Sequence, residues 1–195
     1  MQVKKCFIDT ETTGLDSSKH GLVQVAGVID IGGVVVEEFD FMMRPPADKL
    51  FETRALEVIG KDMAVIDGYK PSKENFKMFK NILTQYVDQF NPKDKFFFIA
   101  YNAPFDVGFI RQWFLDNGDK YYGSMFWTPA IDVMSQAGDA LMFERHKLKD
   151  FKLGTVTNHL NIKPSGKLHD AMTDIDLTRN LYYHLQTPKG DTLFD

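Results

Sequence analysis

Two acidic side chains near the start of the chain are the first candidates for chemistry. Asp9 and Glu11 follow the apolar run from Cys6 to Ile8, which is typical of the end of a buried strand. Because side chains two residues apart on a strand point to the same face, the two carboxylates would project together. Carboxylate oxygens are the ligands that Mg²⁺ and Mn²⁺ prefer. On this segment alone the alternative stays open that both acids are solvated in a polar loop.

Two further segments place acidic residues in predicted helices. Asp106 falls in the first turn of a helix, where the helix dipole stabilises a carboxylate, so a structural cap is an alternative to a metal ligand. His169 and Asp174 lie about one and a half helical turns apart, which places His169 at or before the helix start and Asp174 on the inward face. A histidine near a helix start is more often structural. A buried Asp is rare unless it is paired or bound to a metal, which favours a functional role for Asp174.

A mixed sheet flanked by helices would have to position these residues. Strands are predicted over 3–9, 21–31, 33–43, 95–101 and 124–131, with Gly32-Gly33 as a hairpin turn. Helices are predicted over 51–59, 72–90, 104–115, 132–143, 149–160 and 168–185, with 186–195 as a loose tail. An antiparallel meander followed by alternating strands and helices indicates an α/β fold, whose sites gather at strand ends and helix starts.

Composition narrows the class of protein. A length of 195 residues suits one domain, and the single cysteine, Cys6, cannot form a disulfide within the chain, which favours the cytoplasm. No segment approaches the ~18 apolar residues of a membrane span, so no membrane association is expected. The net charge of -4 argues against a protein that coats nucleic acid, but clustered catalytic acids would lower the charge of a nuclease in the same way. Residues 144–169 hold six Lys or Arg against two acids. This local positive charge is either an ordinary solvated surface or a path for the phosphates of a nucleic acid.

The three acidic segments, taken together and in order, resemble the DEDDh family of 3′-to-5′ exonucleases, the type found in the proofreading subunit of bacterial replicative polymerase. Residues 7–14 match its strand with Asp-x-Glu followed by Thr-Thr-Gly, residues 102–106 match Asn-Ala-x-Phe-Asp, and residues 169–174 match His-x-Ala-x-x-Asp. Tyr101 departs from the family, which often has His there. Asp170 stands where a sister group has Tyr, which argues against that variant.

The resemblance implies a ribonuclease H-like α/β fold, with a mixed five-stranded sheet flanked by helices, in one exonuclease domain over 1–185. It implies two divalent cations, Mg²⁺ or Mn²⁺, held by Asp9, Glu11 and Asp174, with Asp106 contributing directly or through water. His169 would be the general base that activates water, and nucleoside 5′-monophosphates would leave stepwise from a 3′ end. Five residues are expected to contact the substrate: Thr12, Thr13, Leu15, Asn102 and Phe105. Leu15 and Phe105 are core residues in the alternative interpretation.

The expected partner is the 3′ end of single-stranded nucleic acid, with DNA favoured over RNA. An RNA-trimming or oligoribonucleotide-degrading enzyme stays open, because recognition of the 2′-hydroxyl depends on pocket details. So does a subunit whose main role is to bind nucleic acid within a polymerase complex. The tail residues Thr192 to Phe194 faintly resemble peptides that dock on sliding clamps. The intact set of four acids and one histidine argues against an inactive scaffold.

Overall fold

Five strands form one mixed sheet in the computed structural model, which describes residues 2–164 and 171–187. The strands are β1 (Lys4–Thr12), β2 (Leu22–Ile31), β3 (Val34–Met42), β4 (Phe97–Ala100) and β5 (Ile131–Asp132). Their order across the sheet is β3-β2-β1-β4-β5. β1, β2 and β3 pair antiparallel, whereas β4 pairs parallel with both β1 and β5. The predicted mixed five-stranded α/β fold is confirmed.

The turn between β2 and β3 is built from Gly32 and Gly33, as predicted. Their φ angles of 64° and 95° lie in the left-handed region, where a side chain would be strained. The Gly33 N–H donates to the Asp30 carboxylate at 2.9 Å, so the turn is also tied to a buried acid at the end of β2. This turn sets the register of β3 against β2.

Helices cover both faces of the sheet. They are α1 (Thr53–Ile59), α2 (Met63–Asp67), α3 (Ser72–Tyr86), α4 (Ala103–Asp116), α5 (Tyr122–Met125), α6 (Val133–Ala140), α7 (Leu153–His159) and α8 (Ala171–Gln186), with a 3₁₀ helix over Met142–Lys147. Alternate β1 residues serve the two cores. Cys6 and Ile8 are buried with α3 and α4, whereas Phe7 is buried with α6, α7 and α8.

Several predicted boundaries are wrong for local reasons. The predicted strand 124–131 is mostly the short helix α5 and a loop, and only Ile131–Asp132 pair with β4. Pro129 has no N–H to offer a neighbouring strand. The predicted helix 149–160 begins at Leu153, because the Asp150 carboxylate accepts the Lys152 N–H in a turn before it. The short helix α2 was not expected from the sequence.

Other boundaries agree within a few residues, and β1 continues past Asp9 to Thr12. Cys6 is fully buried, as predicted. No helix in residues 2–164 and 171–187 has the length and apolarity needed to cross a membrane. The predicted start of the last helix at 168, and most of the tail over 186–195, lie outside the described residues.

Candidate active site

The end of β1 presents acidic and hydroxyl side chains to opposite faces of the sheet. Asp9 and Glu11 alternate with Thr10 along the strand, which pairs with β2 from Lys4 to Thr12. Asp9 therefore lies on the same face as Phe7 and α8, whereas Thr10 lies on the face covered by α4. The register shifts between Glu11 and Thr12, where the strand leaves the sheet. The prediction that the carboxylate pair shares one face agrees with this arrangement.

The loop from β4 to α4 delivers Asp106 to the same sheet edge. Asn102 adopts a left-handed conformation, with φ of 67°, and turns the chain sharply into α4. Asp106 lies in the first helical turn and is only 3% exposed. The Thr10 hydroxyl donates to the Asp106 carboxylate at 2.8 Å, which joins β1 to α4. A polar contact between the first two motifs is therefore built into the core.

Asp174 reaches this edge from the first turn of α8. The helix is fixed on the sheet by Arg179 and Tyr183, which both bond the fully buried Asp30 of β2. Arg179 donates from Nε at 2.9 Å and Tyr183 from its hydroxyl at 2.8 Å. Lys5 of β1 lies 3.6 Å from the same carboxylate. This buried ionic network sets the height of α8, and therefore of Asp174, against β1.

The predicted carboxylates are near enough to affect one another's pKa. Burial raises the pKa of Asp9 well above its ordinary value, and three negative neighbours raise it further: Asp106, Glu11 and Asp174 in that order. Burial also raises the pKa of Asp106, although the Thr10 hydroxyl and backbone N–H groups oppose the change. Four acids from β1, α4 and α8 thus repel one another at one end of the sheet.

The four acids do not by themselves form a complete metal-binding group. Among residues 2–164 and 171–187, no three His, Cys, Asp or Glu side chains form a group already able to hold a metal ion. Glu11 and Asp174 both have interactions with other protein groups. The donor chemistry nevertheless suits a divalent cation, because a positive charge would stabilise the buried carboxylates in their charged form and relieve the repulsion among them.

His169, the predicted general base, lies outside the described residues, and so does Asp170. Their side chains are therefore not part of the geometry above. The described part of α8 begins at Ala171, which is buried, and Asp174 follows within the first turn. The role of His169 stays a prediction from the sequence.

The loop after β1 is fastened from inside. Thr13 is fully buried; its hydroxyl donates to the Leu50 carbonyl and accepts the Gly21 N–H at 2.9 Å. The Thr12 hydroxyl donates to the Gly14 carbonyl at 2.7 Å. Both hydroxyls therefore shape the loop, and the expected contact of these threonines with a nucleotide stays a prediction.

Leu15 and Phe105 differ in exposure. Leu15 is 77% exposed, so the interpretation as a core residue is wrong and an apolar contact surface remains available. Phe105 is partly buried and packs on Phe109 with ring centroids 5.0 Å apart, as a core residue would. The Asn102 side chain makes no cap hydrogen bond to α4, whereas its left-handed backbone forms the turn into that helix. The expected contact of Asn102 with the substrate stays a prediction.

A further acid, Asp132, fixes the turn that precedes α4. Its Oδ1 accepts the N–H groups of Asn102 at 2.9 Å and Ala103 at 3.1 Å, and also caps α6 through the Met134 N–H. Asp132 had no predicted role in the site. Its position before a predicted helix was a capping signal, but its partners 30 and 29 residues away were not visible in the sequence.

Tyr101, the departure from the family pattern, has a packing role. Its hydroxyl donates to the Phe151 carbonyl at 2.6 Å, and burial raises the pKa of Tyr101. The bond ties the end of β4 to the segment before α7. Tyr101 therefore supports the packing of α7 against the sheet at the position where the family often has His.

Residues 6–182 match the RNase_T family, whose description is exonuclease. The chain belongs to this exonuclease family. The exonuclease is 30% identical to a PolC-type DNA polymerase III of Lacticaseibacillus paracasei over 181 residues, which are 91% of this chain and 11% of the polymerase. It is 25% identical to the PolC-type enzyme of Thermotoga maritima, covering 90% of this chain and 11% of that protein.

The exonuclease is also 24% identical to the DNA polymerase III subunit epsilon of Rickettsia prowazekii, over 97% of this chain and 77% of the subunit. Among solved structures, it shares its fold with E. coli exonuclease I in complex with a dT13 oligonucleotide. The TM-score is 0.73 at 23% identity, and the match covers 95% of this chain and 41% of exonuclease I. The exonuclease therefore spans a small part of the PolC-type polymerases and less than half of exonuclease I.

Proposed function

We propose that this exonuclease removes nucleotides one at a time from the 3′ end of single-stranded DNA and releases nucleoside 5′-monophosphates. The observation that supports this best is the convergence of four carboxylates from β1, α4 and α8, where burial and, after it, mutual repulsion raise the Asp9 pKa. Such a set is costly to maintain without a cation. DNA is favoured over RNA because the relatives are DNA polymerases and the solved exonuclease I complex holds a thymidine oligonucleotide.

Asp9, Glu11 and Asp174 would hold two divalent cations, Mg²⁺ or Mn²⁺, with Asp106 contributing directly or through water. When bound, the cations would lower the pKa of water and neutralise charge that develops on the phosphodiester. Asp106 is held by Thr10 at 2.8 Å, so it is already oriented toward the end of β1. His169 would accept the proton of the attacking water, a task suited to a group with an ordinary pKa near ~6.5.

Association with a polymerase or a sliding clamp is a second proposal, which the polymerase relatives support. The tail motif from Thr192 to Phe194 lies outside the described residues. Clamp binding that persists after deletion of 188–195 would contradict a role for that motif. A cytoplasmic location likewise stays a prediction.

Replacement of Asp9 by Asn tests the assignment of the acids to catalysis. We expect cleavage to be abolished because a cation ligand is lost, while stability stays the same or rises because repulsion with Asp106 and Glu11 is relieved. The assay follows shortening of matched 5′-labelled single-stranded DNA and RNA with Mg²⁺ or Mn²⁺, with EDTA as a control. Thermal melting of both proteins gives the stability. Asp139→Asn, at an exposed site on α6, is the matched control.

Full activity of Asp9→Asn would overturn the metal assignment, and inactivity with a large loss of stability would make Asp9 a structural residue.

His169→Ala should lower kcat by about 10²–10⁴-fold with little change in strand binding, as expected of a general base. A large loss of binding instead would show that His169 is structural. The faster substrate decides between DNA and RNA.

A further inference from the structure

A cleft of about 900 Å³ opens beside Asp174, and Asp9, Glu11 and Asp106 do not line it. Its walls come from the end of the 3₁₀ helix, from α7 and from the segment that follows α7. Its volume lies at the upper end of the ~300–1,000 Å³ typical of small-ligand sites. Asp174 belongs to both the cleft and the acidic cluster, so the cleft is continuous with the candidate active site.

Positive charge dominates the walls of this cleft. Four exposed lysines line it: Lys147, Lys149, Lys152 and Lys163. Lys147 pairs with Glu144 at 3.3 Å, but within the described parts of the chain no ion pair within 4 Å engages the other three. The chain as a whole carries a charge of -4, so this concentration of lysines is a local feature.

Asp150 lies among these lysines and partly offsets their charge, but its carboxylate is also held by hydrogen bonds. The Asp150 carboxylate accepts hydrogen bonds from the Thr155 side chain and the Lys152 N–H, and these bonds, with a smaller contribution from the charges of Lys149 and Lys152, lower its pKa. It therefore serves the start of α7. Two exposed amides, Asn158 and Asn161, line the same cleft and can bond sugars or base edges. Lysines with neutral amides suit a phosphate backbone that carries bases of any sequence.

We propose that this lysine cleft binds the phosphates of nucleotides on the 5′ side of the bond being cut. The inference rests on the proposed function, because Asp174 joins the cleft to the cluster that would hydrolyse the terminal phosphodiester. The substrate is then a strand several nucleotides long, held upstream by Lys149, Lys152 and Lys163. Affinity rises with strand length and falls with salt, whereas the chemical step does not depend on these three lysines.

The test compares K149A/K152A/K163A with the parent enzyme on two substrates. One is a 5′-labelled 12-nucleotide oligothymidylate. The other is the p-nitrophenyl ester of thymidine 5′-monophosphate, which has no upstream nucleotides. The matched control is K73A/K77A/K120A, three exposed lysines on the α3 and α4 side of the molecule. Thermal melting checks that each variant is folded.

For the oligonucleotide we expect the triple variant to raise KM about tenfold or more with little change in kcat. Loss of three phosphate contacts should flatten the slope of log affinity against log salt by about 2, so the parent loses about 15-fold more affinity than the variant between 50 and 200 mM salt. Hydrolysis of the ester should be unchanged. The control variant should behave as the parent on both substrates.

Unchanged KM and salt slope for the oligonucleotide, with the ester still hydrolysed, would overturn the cleft proposal and leave the exonuclease intact. An equal loss in the control variant would also overturn it, as a general charge effect. No ester hydrolysis by the parent would count against the proposed function itself. If the triple variant does not fold, lysine acetylation of the parent with and without oligonucleotide in EDTA decides the question, since Lys149, Lys152 and Lys163 should be protected and Lys77 should not.

Discussion

Replacement of Asp30 should weaken the attachment of α8 to the sheet, because this buried carboxylate accepts two hydrogen bonds from α8 and one from the turn after β2. Arg179 and Tyr183 donate to Oδ2 at 2.9 and 2.8 Å, and the Gly33 N–H donates to Oδ1 at 2.9 Å. Lys5 adds an ion pair at 3.6 Å. Asp30 itself has no exposed surface.

The Asp30→Ala variant leaves two cations without their acid, which costs about 3–5 kcal/mol for a buried pair. Because the Arg179 side chain keeps 21% of its surface exposed and can recover some hydration, we expect a loss of about 3 kcal/mol, at the low end of that range. For a domain of this size the melting temperature should fall by about 6–12 °C. Asp30→Asn keeps an oxygen for the Gly33 N–H and loses the charge, so we expect about 1–2 kcal/mol.

The pH dependence of this effect has a defined sign. Burial alone would raise the pKa of Asp30, but the bonds from Tyr183, Arg179 and the Gly33 N–H outweigh it and lower the pKa. A lowered folded-state pKa gives stabilisation that is complete above the unfolded value of about 3.9 and is lost as the pH falls through the folded value. The stability gap between the parent and Asp30→Asn should be constant from about pH 7 to 5 and narrow below about pH 4.

Urea denaturation of the parent, Asp30→Asn and Asp30→Ala across this pH range measures these differences. The exposed loop residue Asp48, replaced by Ala, is the control and should change stability by less than about 0.5 kcal/mol. The reasoning is refuted if Asp30→Ala loses no more than Asp48→Ala. It is also refuted if the gap between the parent and Asp30→Asn grows as the pH falls.

Two further substitutions test the supports of the candidate site. Gly14→Ala should lower the free energy of unfolding by about 1–3 kcal/mol and reduce activity, because the new Cβ would overlap the buried His20 ring. Gly123→Ala, which has open space around it, is the control, and equal melting temperatures for the two variants would contradict the argument. Asp132→Ala should cost about 2 kcal/mol, because α6 loses its cap and the Asn102 turn loses its acceptor, whereas Asp132→Asn should keep most of that stability and the activity. Urea denaturation measures the stability of each variant, and oligonucleotide cleavage measures its activity. An Asp132→Ala enzyme of full stability would contradict the role of Asp132 in fixing the Asn102 turn.

The order of the elements and the identity of the acidic residues follow from the sequence. The apolar stretches that form β1 and β4 and the helical spacing over α3 are local patterns, so their element types could be predicted without knowledge of contacts. Gly32-Gly33 indicated a hairpin for the same reason, since few residues adopt its positive φ angles. Asp9, Glu11, Asp106 and Asp174 were recognisable because they belong to three short motifs with fixed spacing.

Short elements without a local pattern were not predictable in the same way. β5 pairs over only two residues and exists because β4 offers it an edge, whereas the apolar stretch before it folds as α5 and a loop. The five residues of α2 are too few to show helical periodicity. In these segments tertiary contacts, which the sequence does not display, outweigh local preference.

By itself the sequence determined the α/β class, the four acids and the exonuclease resemblance, because local periodicity and short motifs encode them. Tertiary structure alone decided that Thr10 would hold Asp106, that Asp132 would fix the Asn102 turn, and that Asp30 would bond Arg179 across 149 residues of chain. It also placed the lysine cleft against Asp174. These features depend on distances between groups far apart in the chain, which are fixed only when the two helical layers pack on the sheet.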